Sequence, residues 1–157
     1  MDYLTKPWID ANKYREGRLK EALYESELAE KFMENGLLRN AAGKAFQAVK
    51  AYLAAIALDN RGILVNHFKG RKRIGLKEVE RVDWIIATMP TSRMKEVASL
   101  IGDKELELMV EKALDLHEFQ YNGYDKDAEV SRYTNELIVK KDVEDIILFI
   151  RSRLVKN

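Results

Sequence analysis

The sequence of 157 residues contains no cysteine, which excludes disulfide bonds, thiolate metal ligands and a cysteine nucleophile. It has only two histidines, so we expect neither a dedicated zinc or transition-metal site nor a bound cofactor. Its longest clearly apolar run, 51–58, is far shorter than the roughly 20 residues that a membrane helix requires. Residues 1–12 lack the apolar core of a secretory signal. We therefore expect a cytoplasmic protein with no membrane contact.

Sequence motifs of several common enzyme classes are also absent. There is no glycine pattern of a phosphate-binding loop, no His-Glu-x-x-His zinc motif and no serine nucleophile elbow. Prolines and glycines are few, and nearly all of them fall where helices are expected to end. No repeat and no low-complexity linker divides the chain, so residues 1–157 are predicted to form a single domain.

The apolar residues that are present recur mainly at three-and-four spacing, which is typical of amphipathic helices. This pattern predicts an all-α fold, an up-and-down bundle of five or six helices. The predicted helices cover 8–34, 38–58, 77–89 and 93–101, a segment from Asp103 through Tyr121, and 139–155. Residues 60–76 are predicted to be an irregular connection, and 137–139 is the one ambiguous strand-like run.

The first two predicted helices are separated only by a short segment that contains Asn35 and Gly36, a typical helix stop. So short a link predicts an antiparallel helical hairpin. The second helix contains eight alanines between Ala41 and Ala57. Small side chains let a neighbouring helix approach closely, so we expect another helix to pack closely against this one.

The formal net charge of +1 conceals an uneven distribution. Residues 35–77 carry nine basic side chains and one acidic side chain, whereas 78–157 carry twelve basic and seventeen acidic. Within the basic block, residues 69–75 include two glycines and four candidate nucleic-acid contacts: Lys69, Arg71, Lys72 and Arg73. These side chains are interpreted either as a phosphate-contacting segment or as an ordinary exposed connection whose charge is paired within the molecule.

Residues 117–133 form the most unusual segment, because they hold three of the seven tyrosines, one histidine and an Asn-Gly turn signal. Helical spacing places His117 and Tyr121 on one face, and the turn is predicted to bring later residues back over them. The segment is interpreted as a structural loop or as a ligand-binding site with donors and stacking surfaces. The candidate ligand-binding residues are His117, Tyr121, Asn122, Tyr124, Asp125, Arg132 and Tyr133.

A family resemblance rests on two stretches of sequence. Residues 40–51, Asn-Ala-Ala-Gly-Lys-Ala-Phe-Gln-Ala-Val-Lys-Ala, resemble the second helix of HEPN-type bundles, and 117–133 are similar to a signature of the archaeal PaREP proteins of the first type. The resemblance implies a HEPN-like helical domain and a homodimer. It also implies a nucleotide, RNA or a small nucleotidyltransferase as partner.

Some HEPN relatives are metal-independent ribonucleases that use an arginine and a histidine separated by four to six residues. Arg61 and His67 have this spacing, although not near the last helix, where the resemblance places such a pair. The function that we expect first is a non-catalytic module that binds a nucleotide, a nucleic acid or a protein. The alternatives are an endoribonuclease that uses Arg61 and His67, and a purely structural protein that associates with itself.

Overall fold

A computed structural model describes residues 5–124 and 131–155. These residues form seven α-helices, one short 3₁₀ helix and one antiparallel β-hairpin. The helices are α1 (Ala11–Glu34), α2 (Leu38–Asp59), α3 (Arg61–His67), α4 (Arg81–Thr88), α5 (Met94–Ile101), α6 (Lys104–Asn122) and α7 (Glu136–Leu154), and the strands are β1 (Arg71–Ile74) and β2 (Lys77–Glu80). The mostly helical fold confirms the predicted class, but the prediction of five or six helices is too low for the described part of the chain.

Helices α1 and α2 form the predicted antiparallel hairpin. Helix α1 begins three residues later than predicted, because the Asp10 side chain accepts a hydrogen bond from the Lys13 backbone N–H at 3.0 Å. Arg15, near the start of α1, forms an ion pair with Asp59, the last residue of α2, at 2.8 Å. This contact joins the beginning of one helix to the end of the other.

Helix α2 is the central element of the core, and all eight of its alanines are fully buried. These small side chains let α1, α6 and α7 pack directly against it. Helix α6 lies very close to α2 at Gly43, where an added Cβ atom would lie 2.6 Å from Nε2 of Gln120. The close packing of neighbouring helices on this alanine-rich segment is what its composition predicted.

Residues 60–76 were predicted to be an irregular connection, and this prediction is wrong. Residues 61–67 form helix α3, and 71–74 form β1. The predicted helix over 77–89 is wrong at its start, because 77–80 pair with β1 as strand β2.

The hairpin turn explains why this segment leaves the helical pattern. Ile74 is opposite Lys77, so Gly75 and Leu76 form a two-residue turn, and Gly75 has a φ of +61°. Glycine adopts this left-handed conformation without strain, which favours a tight hairpin over a continued helix.

The C-terminal end of α4 is held by two side chains of α1. The Tyr14 hydroxyl donates a hydrogen bond to the Ile86 carbonyl at 2.6 Å, and the Arg18 guanidinium donates to the Ala87 carbonyl at 2.9 Å. Tyr14 is fully buried, and Arg18 is only 8 % exposed. Helix ends leave carbonyl groups unpaired, so these bonds satisfy groups that would otherwise be buried without a partner.

The last two helices complete the core. The Asp103 side chain caps α6 as predicted, by accepting a hydrogen bond from the Leu106 backbone N–H at 3.2 Å. Helix α7 begins after the Asn135 cap, so the strand-like run 137–139 is helical. Most of the core positions expected from helical spacing in the two helices are buried: Leu106, Val110, Ala113, Val143, Ile146, Ile147 and Ile150. Leu154, also expected in the core, is only partly buried, because it is the last residue of α7. None of the described helices is long and apolar enough to cross a membrane.

Candidate functional sites

The first candidate site is the arm, defined as residues 69–81, which includes the β-hairpin and its junctions with α3 and α4. The arm carries six basic and two acidic side chains, a net charge of +4. All of its residues are exposed except Val79, and Leu76 at the turn is 98 % exposed. The arm is therefore a positively charged extension of the helical core.

All four predicted nucleic-acid contacts lie on the arm. Arg71 and Arg73 point to one face of β1 and Lys72 points to the other, because side chains alternate along a strand. Arg71 pairs with Glu78 of β2 at 3.4 Å, and the Lys72 ammonium lies 4.7 Å from the ring centroid of Trp84 on α4. The hairpin thus joins the predicted contacts in one exposed element, and Trp84 connects it to the helices.

The arginine and histidine of the nuclease alternative have separate ionic partners. Arg61 donates hydrogen bonds to both carboxylate oxygens of Asp83, at 2.7 and 2.9 Å, and also pairs with Glu80. The hydrogen bonds to Asp83 raise the pKa of Arg61. His67 Nε2 lies 2.7 Å from a carboxylate oxygen of Glu96. Each of the two side chains is therefore held by its own carboxylate group.

The second candidate site lies near the end of α6. The imidazole of His117 stacks on Phe46 of α2, with ring centroids 4.1 Å apart, and the Tyr121 ring meets it edge-on at 5.2 Å. Burial lowers the pKa of His117, and the positive charge of Lys50 lowers it further. The structure thus places His117 and Tyr121 on one face of α6, as the helical spacing indicated.

The end of α6 is fixed by a residue at the start of α2. Arg39 donates hydrogen bonds to the carbonyl groups of Gln120 and Tyr121, at 2.9 and 2.7 Å. Asn122 is the last residue of the helix, and Gly123 follows it with a φ of +69°. Arg39 belongs to the basic block of the sequence, so part of that block's charge stabilises a helix end.

Arg132 and Tyr133 have a different set of partners. Arg132 pairs with Asp115 at 2.9 Å and with Glu118 at 3.5 Å. The buried Tyr133 hydroxyl donates to Asp142 of α7 at 2.6 Å, and burial together with this bond raises the Tyr133 pKa far above its usual range. These contacts attach the segment after residue 130 to α6 and α7.

The predicted ligand-binding residues are thus divided between separate contacts in the described part of the chain. His117 and Tyr121 lie against α2, whereas Arg132 and Tyr133 bind acidic groups on α6 and α7. Tyr124 packs its ring against Phe119, at a centroid distance of 5.0 Å. Asp125, predicted as one neutralising partner of Arg132, lies outside the described residues.

The sequence model of the Archaeal PaREP1/PaREP8 family matches residues 17–146. The chain belongs to this family. Among curated proteins and among solved structures, no protein matches the chain significantly. The match contains the arm, Arg61, His67 and the whole segment 117–133, so every candidate residue lies within the part of the chain shared with the PaREP1/PaREP8 family.

Several charged residues of this PaREP1/PaREP8 protein have environments that sequence analysis missed. Asp142 is 8 % exposed and accepts from Lys112 as well as from Tyr133. Arg18 is buried beside α4, and Lys50 is half-buried on α2. On the helical pattern alone, both basic residues look like ordinary polar positions. In residues 5–124 and 131–155, no cluster of histidine and acidic side chains is suited to a metal ion.

Proposed function

We propose that this protein is a non-catalytic nucleic-acid-binding module that contacts the phosphate backbone with its arm. The observation that carries the proposal is the exposed arm, residues 69–81, with a net charge of +4. Lysine and arginine side chains neutralise phosphates and release condensed counterions, which favours binding without sequence recognition. The arm presents these side chains on a regular element that is attached to the helices at both ends.

The exposure of the arm favours a contact with an extended partner. Glu78 pairs with Arg71 within the arm, whereas Glu80 pairs with Arg61 of α3. Arg73 forms a hydrogen bond only to the carbonyl of Gly75, at 3.2 Å, so its charge is not offset by an acid in the described residues. Such a surface fits the backbone of RNA or DNA better than a small ligand, because it has no enclosing walls.

Salt dependence tests this proposal directly. We would measure the affinity of a labelled 20-nucleotide RNA and of a DNA duplex between 50 and 300 mM KCl, with a chelator present. Replacing Arg71, Lys72 and Arg73 with alanine should reduce the slope of log K against log salt by about two to three, because each phosphate contact contributes about 0.7 to 0.9.

A matched control removes the same charge elsewhere. Lys13, Lys20 and Lys104 are exposed and lie on α1 and α6. Replacing these three with alanine should change the slope of log K against log salt less than the arm variant does. Equal binding by the arm variant and the wild type would refute the proposal. Cleavage of the RNA in the presence of chelator would instead favour the endoribonuclease alternative with Arg61 and His67.

Self-association is a second candidate function, and a groove between α6 and α7 with both apolar and polar lining residues favours it. The groove has a volume of about 280 Å³ and is lined by Glu105, Met109, Asp145, Leu148, Phe149 and Ser152. Leu148 is 63 % exposed, and the nearby α6 residue Leu108 is 50 % exposed. Exposed apolar side chains around a groove are typical of contact surfaces, and closed two-fold dimers are the commonest assemblies.

A homodimer through this groove should dissociate when both leucines are replaced by lysine. We would measure molar mass by light scattering at micromolar concentration for the wild type and for the Leu108→Lys, Leu148→Lys variant. The double replacement of the exposed Tyr24 and Ile63 by lysine is the control, because these residues lie on α1 and α3. A monomeric wild type would exclude this candidate.

The HEPN-like assignment of the helical core is likewise a proposal, supported by the alanine-rich α2 between α1 and α6.

A further inference from the structure

The face of α6 that meets α2 carries an unusual histidine, His117. The His117 ring is held by its stack on Phe46 and by the edge of Tyr121. Its Nδ1 atom is buried and has no hydrogen-bond partner in the described structure. Nearly all buried polar atoms in proteins are hydrogen-bonded, so an imidazole nitrogen in this position calls for a partner.

Lys50 lies one helical turn after Phe46 on the same face of α2. It is half-buried, and it forms no hydrogen bond or ion pair with any described residue. Burial lowers the pKa of Lys50, and the positive charge of Arg18 lowers it further. Buried charges in proteins are normally paired, so Lys50 differs from the usual pattern.

The acidic group that is near these cations is already engaged. Glu21 accepts a hydrogen bond from Arg18 Nη1 at 2.9 Å, and Arg18 also donates to Tyr14 and to the carbonyl of Ala87. Glu21 makes no hydrogen bond to Lys50. Its negative charge raises the pKa of Lys50, whereas the positive charge of Arg18 lowers it. Two cationic side chains and a histidine therefore share a partly desolvated region with one carboxylate.

From these contacts we propose that Lys50 and His117 bind the phosphate group of a small phosphomonoester, at a site between α2 and α6 that is separate from the arm. The oxyanion accepts hydrogen bonds from the Lys50 ammonium and from His117 Nδ1, while Arg18 adds positive potential behind Lys50. Tyr121 is 67 % exposed and meets the imidazole edge-on, and the proposed binding requires its side chain to rotate so that the anion reaches the buried Nδ1. The same phenol ring offers a stacking surface for a planar group attached to the phosphate.

Inorganic sulfate is a suitable first probe, because its charge does not change between pH 5 and 8. The chain has only two histidines, so ¹⁵N-histidine labelling reports on His117 with His67 as an internal reference. We expect sulfate to raise the pKa of His117 saturably at constant ionic strength, since an anion stabilises the protonated ring. His67 lies on α3 beside Glu96, so its resonances should not show this saturable response.

A pair of lysine variants makes the test specific. Lys50→Met should abolish the sulfate effect on His117, whereas Lys44→Met, which removes the same charge from the same helix, should preserve it. An equal response in sulfate and chloride, a wild-type response in Lys50→Met, or a loss of the response in both variants would overturn the site. The comparison of sulfate with chloride needs no variant, so it decides the proposal even if Lys50→Met does not fold.

A third probe, adenosine monophosphate, distinguishes a phosphomonoester ligand from the free inorganic anion. Adenosine monophosphate should bind at least about tenfold more tightly than sulfate, and Tyr121→Ala should remove this difference. That result would support a planar group, attached to the phosphate, that stacks on Tyr121. Binding equal to that of sulfate in the wild type would assign the site to the free inorganic anion and overturn the phosphomonoester. The arm variant with Arg71, Lys72 and Arg73 replaced should show the same sulfate response as the wild type.

Discussion

At the scale of single residues, tyrosines that look alike in the sequence have opposite roles. Tyr121 and Tyr133 both fall in the aromatic segment 117–133, but Tyr121 is 67 % exposed and Tyr133 is only 2 % exposed. Tyr133 donates a hydrogen bond to the buried Asp142, which also accepts from Lys112. The difference depends on long-range contacts with α7, which residue type and local spacing do not encode.

This contrast leads to a prediction about stability. Tyr133→Phe removes the hydroxyl donor and leaves one oxygen of the buried Asp142 without its partner, so the free energy of unfolding should fall by about 1 to 3 kcal/mol. Tyr121→Phe changes an exposed hydroxyl and should alter it by less than about 0.5 kcal/mol. Urea denaturation measures both values. Equal effects of the two substitutions would show that the Asp142 bond does not stabilise the fold.

At the scale of secondary-structure elements, the long helices could be predicted because the residues that start, stop and favour them are close together in the sequence. The stop at Asn35 and Gly36, the cap at Asp103 and the alanine repeat of α2 all act within a few residues of the features that they determine. The predicted C-terminal ends of α1 and α2 agree with the structure to within one residue. Local stop signals and helical periodicity agree in these segments.

The hairpin of the arm was missed because its strands do not alternate between buried and exposed residues. In 71–80 only Val79 is buried, so the period-two pattern of a half-buried strand is absent. The available signal was Gly75, since Gly-X between two short segments is typical of a two-residue hairpin turn. Apolar residues at three-and-four spacing in 79–89 masked this signal, because Val79 continues the buried stripe of α4.

The contact between α2 and α6 leads to a prediction about Gly43. Alanine in a helix is more favourable than glycine by about 0.5 to 1 kcal/mol, but here its Cβ would lie 2.6 Å from Nε2 of Gln120. Gly43→Ala should therefore raise the free energy of unfolding by less than this amount in the wild type. In a Gln120→Ala background it should raise it by the full amount. A double-mutant cycle by urea denaturation measures the coupling, and additive effects would contradict the close approach.

At the scale of the whole molecule, the fold separates into a helical core and an exposed arm. Nearly every large buried side chain belongs to a helix or a helix end, whereas the arm contributes Val79 alone. The candidate sites lie on different parts of this architecture, because the arm extends from α3 and α4 while His117 and Lys50 lie between α2 and α6. Sequence analysis found the basic residues of the arm but not Lys50, since its environment is created by packing of α1 and α6 against α2.

This separation leads to a prediction about removing the arm. The backbone N–H of Arg81 donates to the Gly70 carbonyl at 3.0 Å, so the two ends of the arm already meet. Replacing 71–80 with a short glycine-serine turn should preserve the helical circular dichroism and a cooperative thermal transition. The variant loses the Arg61–Glu80 pair and the contact of Lys72 with Trp84, but Arg61 keeps both bonds to Asp83. Exposed ion pairs contribute about 0 to 1 kcal/mol. The deletion also removes the buried Val79 side chain, worth about 1.5 to 3 kcal/mol. The melting temperature should therefore fall by about 5 to 15 °C.

The same deletion should reduce RNA binding to the level of the arm alanine variant, because the phosphate contacts proposed for the protein lie on the deleted residues. Sulfate binding at Lys50 and His117 should remain, since neither helix that forms that site is altered. Loss of cooperative unfolding would show that the hairpin is part of the core. A deletion variant that folds and still binds RNA with the wild-type salt dependence would place the nucleic-acid contact on another surface, and the remaining basic residues on α2 would then be tested first.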